Sequence, residues 1–114
     1  MKTARLSLRI DLPNGTRFGP GKAALLTALR EDGSIKAAAT RLGMSYPRAL
    51  KLIEQMNSSF AAPLVETQHG GSDGGGTRVT DLGQEVLDLY TAICDASAAA
   101  STDQFHTLLK HIRD

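Results

Sequence analysis

The chain has 114 residues, 41% of them hydrophobic and 22% charged, with a formal net charge of +1. That is enough for one domain of ordinary globular composition, and no global charge points to a nucleic acid or a membrane surface. Aromatic residues make up only 4% and Trp is absent, so the core is expected to rest on Leu, Ile, Val and Ala.

The N-terminal "MKTARLSLRIDLPNG" carries charges at Lys2, Arg5, Arg9 and Asp11. A signal peptide needs an uninterrupted apolar core of about 7–15 residues, which this stretch lacks. No apolar run approaches the roughly 18 residues of a membrane span, so a cytoplasmic protein without a membrane partner is expected. Within the stretch, Leu6, Leu8, Ile10 and Leu12 alternate with polar residues, the period of a half-buried strand. "PNG" at Pro13 to Gly15 is a turn signal, and "TRF" is a short return strand ending at Gly19.

From Lys22 the period becomes helical, with Leu25, Leu26 and Leu29 inward until Asp32-Gly33 ends the helix. Ser34 suits the N-cap of "IKAAATRL", whose Ile35, Ala38, Ala39 and Leu42 form a stripe of mostly small side chains. Gly43 stops that helix, and Ser45 caps a third, "YPRALKLIEQMNSSF", where Pro47 is tolerated in the first turn. Its inward stripe is Ala49, Ile53, Met56 and Phe60. "LVETQ" and "TRVT" then read as two short strands around "HGGSDGGG".

Thr80 or Asp81 caps a long final helix in which Leu82, Val86, Leu89, Ile93, Ala96 and Ala100 recur every three or four residues. A seam of that kind, about 20 residues and roughly 30 Å long, suits a partner helix. Cys94, the only cysteine, excludes an internal disulfide and is expected to be a buried, inert thiol. "TDQ" offers a fresh cap for a last short helix with Phe105, Leu108, Leu109 and Ile112 inward.

Enzyme chemistry finds no support in these elements. "GTRFGPGKA" lacks the first glycine and the final Ser/Thr of a phosphate-binding loop, having Thr16 and Ala23 there instead. "GGSDGGG" runs into a strand rather than a helix. His69, His106 and His111 are too scattered for a metal site, and no carboxylate pair flanks a cleft. No catalytic residue, metal or cofactor is expected.

Two short helices joined by a glycine turn make a helix-turn-helix, and the hairpin that follows makes it winged. The fold class is therefore mainly α with a small β-wing: a winged helix-turn-helix with a long C-terminal helix. In this motif the N-terminal residues of the second helix meet base edges in the major groove. Those residues are Ser45, Tyr46, Pro47 and Arg48, with Lys51 one turn along. Arg48 can reach the O6/N7 pair of guanine, a contact giving about 1–3 kcal/mol of discrimination. Lys36, Arg41 and Arg78 are candidates for phosphate contacts, and the helix start at Ser34 is another anion site. Gly74, Gly75 and their neighbours let the wing tip bend over the duplex, with His69 beside them. The bland readings stand beside these: a Lys or Arg on a helix is usually a solvated face, and Tyr46 can pack across the turn.

"GSIKAAATRLGMSYPRALKLIEQMN" followed by "LVETQHGGSDGGGTRVTDLGQEVLDLY" resembles the N-terminal DNA-binding domain of the ModE molybdate-responsive regulators. That domain is related to the winged helix-turn-helix of LysR-type regulators. The likeness runs from Leu6 to Tyr90 and is most specific in "GMSY", the later "MN", the wing glycines and the Thr80–Gly83 spacing. It implies a homodimer on double-stranded DNA at a pseudo-palindromic operator, joined through Leu82, Val86, Leu89, Ile93 and Ala96. Residues 1–80 would form the DNA-binding unit, and residues 81–114 the dimerisation helix with its extension. Members of full length carry molybdate-binding domains beyond that helix, whereas this sequence ends at Asp114, so no small-molecule effector is expected. Asp73 at the wing tip would oppose close approach to phosphate. Two alternatives remain: a winged-helix protein-interaction module, and a dimerising modulator of a full-length regulator.

Overall fold

A computed structural model describes residues 3–67 and 76–113. The chain opens with a hairpin of β1 (Ile10–Asp11) and β2 (Arg17–Phe18), antiparallel, with Ile10 opposite Phe18. The turn closes through Leu12 N–H to the Thr16 carbonyl at 2.8 Å, with Gly15 at φ 87°. Asn14 Oδ1 accepts from the Thr16 hydroxyl at 2.7 Å, and Asn14 Nδ2 donates to Ser59 Oγ at 3.0 Å. Only two residues of the expected strand pair, because the return segment is consumed when Pro20 starts a helix. Leu8 instead gives its carbonyl to the Tyr90 hydroxyl at 2.7 Å, and Leu6 is exposed rather than inward.

α1 (Pro20–Asp32) begins two residues before the expected Lys22, since proline is preset for a first helical position. It ends at Gly33, in the left-handed region at φ 65°, as the sequence predicts. α2 (Ile35–Leu42) and α3 (Tyr46–Ser59) are capped by Ser34 Oγ, which accepts from the Ala37 amide at 3.1 Å, and Ser45 Oγ, which accepts from that of Arg48 at 3.2 Å. β3 (Val65–Thr67) and β4 (Thr77–Val79) pair antiparallel as the base of the wing, with Glu66 opposite Arg78.

Thr80, not Asp81, caps α4 (Asp81–Ala100). Its hydroxyl accepts from Gly83 N–H at 3.0 Å and donates to the Pro63 carbonyl at 2.8 Å. α5 (Thr102–Leu109) follows after Ser101 alone. The expected fresh cap is not formed: Thr102 Oγ1 bonds back to the Ala98 and Ala99 carbonyls. Leu108 is exposed at 54%, contrary to its inward expectation, while Phe105, Leu109 and Ile112 are half-buried. α5 is too short, and touches too little of the body, to bury both sides of its apolar face.

α1 is the central element and packs on α2, α3, α4 and β4. Phe18, Leu25, Leu26, Leu29, Met56 and Leu64 are fully buried, and Leu52 joins the predicted Ala49, Ile53 and Met56 on the inner face of α3. The core is not purely aliphatic. Phe18 meets Tyr90 edge-on at 5.2 Å and Phe60 at 6.4 Å, so three of the five aromatics tie the hairpin to α3 and α4. Cys94 is half-buried rather than buried, beside Tyr90.

Candidate nucleic-acid interface

The α2–α3 turn is built from backbone bonds. Gly43 sits at φ 69° with its N–H on the Thr40 carbonyl at 3.2 Å, and Met44 N–H bonds the Ala39 carbonyl at 2.9 Å. Ala38 and Ala39 are buried where α2 packs between α1 and α3, while the start of α3 faces outward. Ser45, Tyr46, Pro47, Arg48 and Lys51 are all exposed there, Tyr46 at 49%. The structure thus brings together the five residues predicted to meet bases. Glu54 shares the exposed face one turn further on.

The charges around this end differ in their engagement. Among the described residues, Arg48, Lys51 and Lys36 make no ion pair. Arg41 bonds Glu31 at 2.7 Å and Asp32 at 3.3 Å, and the Glu31 hydrogen bond raises its pKa further. Arg78 bonds Glu66 across the wing at 2.9 Å. Two of the expected phosphate ligands are therefore already held by carboxylates. Ser34 is half-buried, its hydroxyl spent on the cap. His69, Gly74 and Gly75, with Asp73, lie outside the described residues.

On α4, Gly83, Leu87 and Tyr90 face the core, and the predicted seam runs beside them, its Leu82 and Val86 still packed against the core. Leu82 and Val86 are half-buried, while Leu89 (57%), Ile93 (45%), Ala96 and Ala100 are exposed. Nothing in the described chain covers those four.

Two features escaped sequence reasoning. Asn57, on the side of α3 away from Arg48, holds the first wing strand: its Nδ2 donates to the Val65 carbonyl at 3.0 Å. Its Oδ1 accepts from the Leu64 and Val65 amides at 2.8 and 3.1 Å. Arg9, just before β1, Arg17 of β2 and Lys22 of α1 gather near Arg48. Lys22 is buried, its ammonium donating to the Arg17 carbonyl, and burial lowers its pKa. The "MN" pair hinted at Asn57, but no local pattern signalled the arginine cluster.

Among the described residues no three His, Cys, Asp or Glu side chains cluster as metal ligands, and no helix is long and apolar enough to cross a membrane.

A glycine-turned helix pair with an exposed basic second helix, a wing and a long following helix defines a winged helix-turn-helix protein. The chain matches the bacterial regulatory helix-turn-helix proteins of the lysR family over residues 22–84, more than half its length, and belongs to that family. Within it the chain is ModE-like. It is 39% identical over 95 residues to the molybdenum-pterin-binding protein MopB of Rhodobacter capsulatus, covering 83% of this chain and 35% of that protein. It is 39% identical over 90 residues to the molybdenum transport protein ModE of Azotobacter vinelandii, covering 79% and 33%. The DNA-binding transcriptional dual regulator ModE of Escherichia coli K12 is 32% identical over 97 residues, covering 85% and 37%. The chain thus spans about a third of the length of these relatives.

Among solved structures, the CbnR_DBD–DNA complex aligns with a TM-score of 0.59 at 20% identity, covering 77% of this chain and 95% of that one. A Corynebacterium glutamicum OxyR C206 mutant aligns at 0.52 and 18% identity, covering 74% and 25%. Both share the fold.

Proposed function

We propose that this chain is the duplex-DNA-binding part of a transcriptional regulator, acting as a homodimer whose α3 helices enter successive major grooves. The observation that carries the reading is the exposed start of α3, where Arg48 and Lys51 have no carboxylate partner among the described residues. The relatives named as DNA-binding and molybdenum proteins support the same assignment and favour a place in molybdenum metabolism. Ser45, Tyr46, Arg48 and Lys51 would read bases, Lys36 would anchor phosphate, and Leu89, Ile93 and Ala96 would join the subunits. The protein would act in the cytoplasm.

Fluorescence anisotropy with random-sequence duplex tests this. Neutralising about six phosphates per dimer predicts roughly a thousandfold affinity loss between about 50 and 200 mM salt. Absence of salt-dependent binding at micromolar protein rejects the proposal.

The carboxylate engagement of Arg41 and Arg78 favours a second reading, a protein-interaction module. Replacing Arg48 and Lys51 with Glu separates the two, since only DNA binding should collapse.

A further inference from the structure

We infer that the concavity between the β1–β2 hairpin and α3 seats a phosphodiester group of the DNA backbone, an interaction that rests on α3 being the major-groove helix. The cavity has a volume of about 490 Å³ and carries four cations, Arg9, Arg17, Lys22 and Arg48. Thr16 and Gln55 add polar groups to its wall. The cations come from four separate segments, so tertiary folding alone assembles them.

The carboxylate bonded within this cluster is Asp11, 3.1 Å from Arg9 and 4.0 Å from Arg17. One carboxylate against two guanidiniums and a buried ammonium leaves a net positive concavity even before Arg48, which lines it but is assigned to the bases, is counted. Lys22 already has a carbonyl partner for one of its three protons. An arriving anion would relieve the cost of keeping that ammonium charged while buried.

Placement on α3 makes the anion a backbone phosphate. Arg48, Leu52 and Gln55 line the cavity from one flank of the helix, whereas Asn57 grips the wing from the other. The major groove of B-DNA is about 12 Å wide, and a helix with its side chains is about 10–12 Å across. A helix in that groove therefore faces a phosphate rim on each flank. On the wing flank Arg78 is engaged by Glu66; on the hairpin flank the excess of positive charge is unspent.

Gly21 provides the sharpest test, because it lines the cavity in the first turn of α1 and a Cβ there meets nothing within 4 Å. Gly21→Asp puts a carboxylate into the cavity while replacing a helical glycine and adding an acid to a first turn, both of which favour α1. Its thermal midpoint should hold or rise while affinity for random duplex falls at least tenfold. A second variant, Arg9→Ala with Arg17→Ala, alters exposed side chains. For every phosphate that is no longer neutralised, the log–log salt slope should become shallower by about 0.9, equivalent to about eightfold in affinity near 0.1 M salt. Lys110→Ala, just past the end of α5, should bind like the parent chain. Duplex affinity and salt slope unchanged in both the Gly21 and the double-arginine variant would overturn the inference. If Lys51→Ala weakens binding in that same experiment, the α3 reading survives; if the parent chain binds no duplex, that reading fails and takes the hairpin site with it.

Discussion

Asn57 grips Val65 at both ends of its backbone: the carboxamide nitrogen donates to the Val65 carbonyl at 3.0 Å, and its oxygen accepts from the Val65 amide at 3.1 Å. The same oxygen takes the Leu64 amide at 2.8 Å, so one side chain of α3 sets where the wing begins. Asn57→Ala removes all three bonds in a part-buried setting and should cost about 1–3 kcal/mol. Urea unfolding checks this, with the midpoint falling at constant slope. If duplex binding uses the wing, affinity should fall even where the protein remains folded. A midpoint equal to that of the parent chain would show that β3 is held by other means.

Gly83 is needed where α4 crosses the wing. A Cβ on it would lie 2.3 Å from the Leu64 carbonyl oxygen and 2.8 Å from Val79 Cγ1. Alanine gains about 1 kcal/mol of helix propensity over glycine. Overpacking against backbone costs about 1–3 kcal/mol or more, so Gly83→Ala should lower the thermal midpoint. A raised midpoint would show that α4 can move away freely.

Alkaline stability should report on Tyr90. Burial, with the neighbouring Cys94 adding to it, pushes its phenol up to about 12 from an ordinary 10.0. The folded state thus keeps a proton that the unfolded chain gives up, so the stabilisation is complete below about pH 10. It is lost as pH climbs from there to about 12. Tyr90→Phe keeps the ring against Phe18 but loses the bond to Leu8, and should be weaker by about 1 kcal/mol at neutral pH. Its stability should not show the phenol's alkaline decline; a decline equal to that of the parent chain would assign the effect to other groups.

Leu89 and Ile93 should control self-association. Both are exposed and neither supports the core of the single chain. Glu at both positions should leave the circular dichroism spectrum intact and give a monomer by light scattering. It should also weaken duplex binding, because two linked half-sites bind more tightly than one. A parent chain that is already monomeric would remove the seam from the proposed function.

Helix boundaries were legible where the signals are local. Ser34, Ser45 and Thr80 each cap an amide three residues ahead, and Gly33 and Gly43 take left-handed angles just past a helix. Such signals need only neighbouring residues, so α2 and α3 fall where the pattern places them. Leu108 shows the limit: its spacing matches an inward face, but burial depends on whether another element reaches it.

The sequence by itself determined the order of elements, the helix-turn-helix with its basic leading edge, and the apolar seam of α4, because caps, turns and periodicity act over a few residues. Only the tertiary structure decided which charges are free. Arg41 and Arg78 look as available as Arg48 in one dimension, yet folding sets them against Glu31, Asp32 and Glu66. It also draws Arg9, Arg17 and Lys22 beside Arg48. Electrostatic character depends on distances between side chains apart in sequence, and strand pairing together with packing around α1 sets those distances.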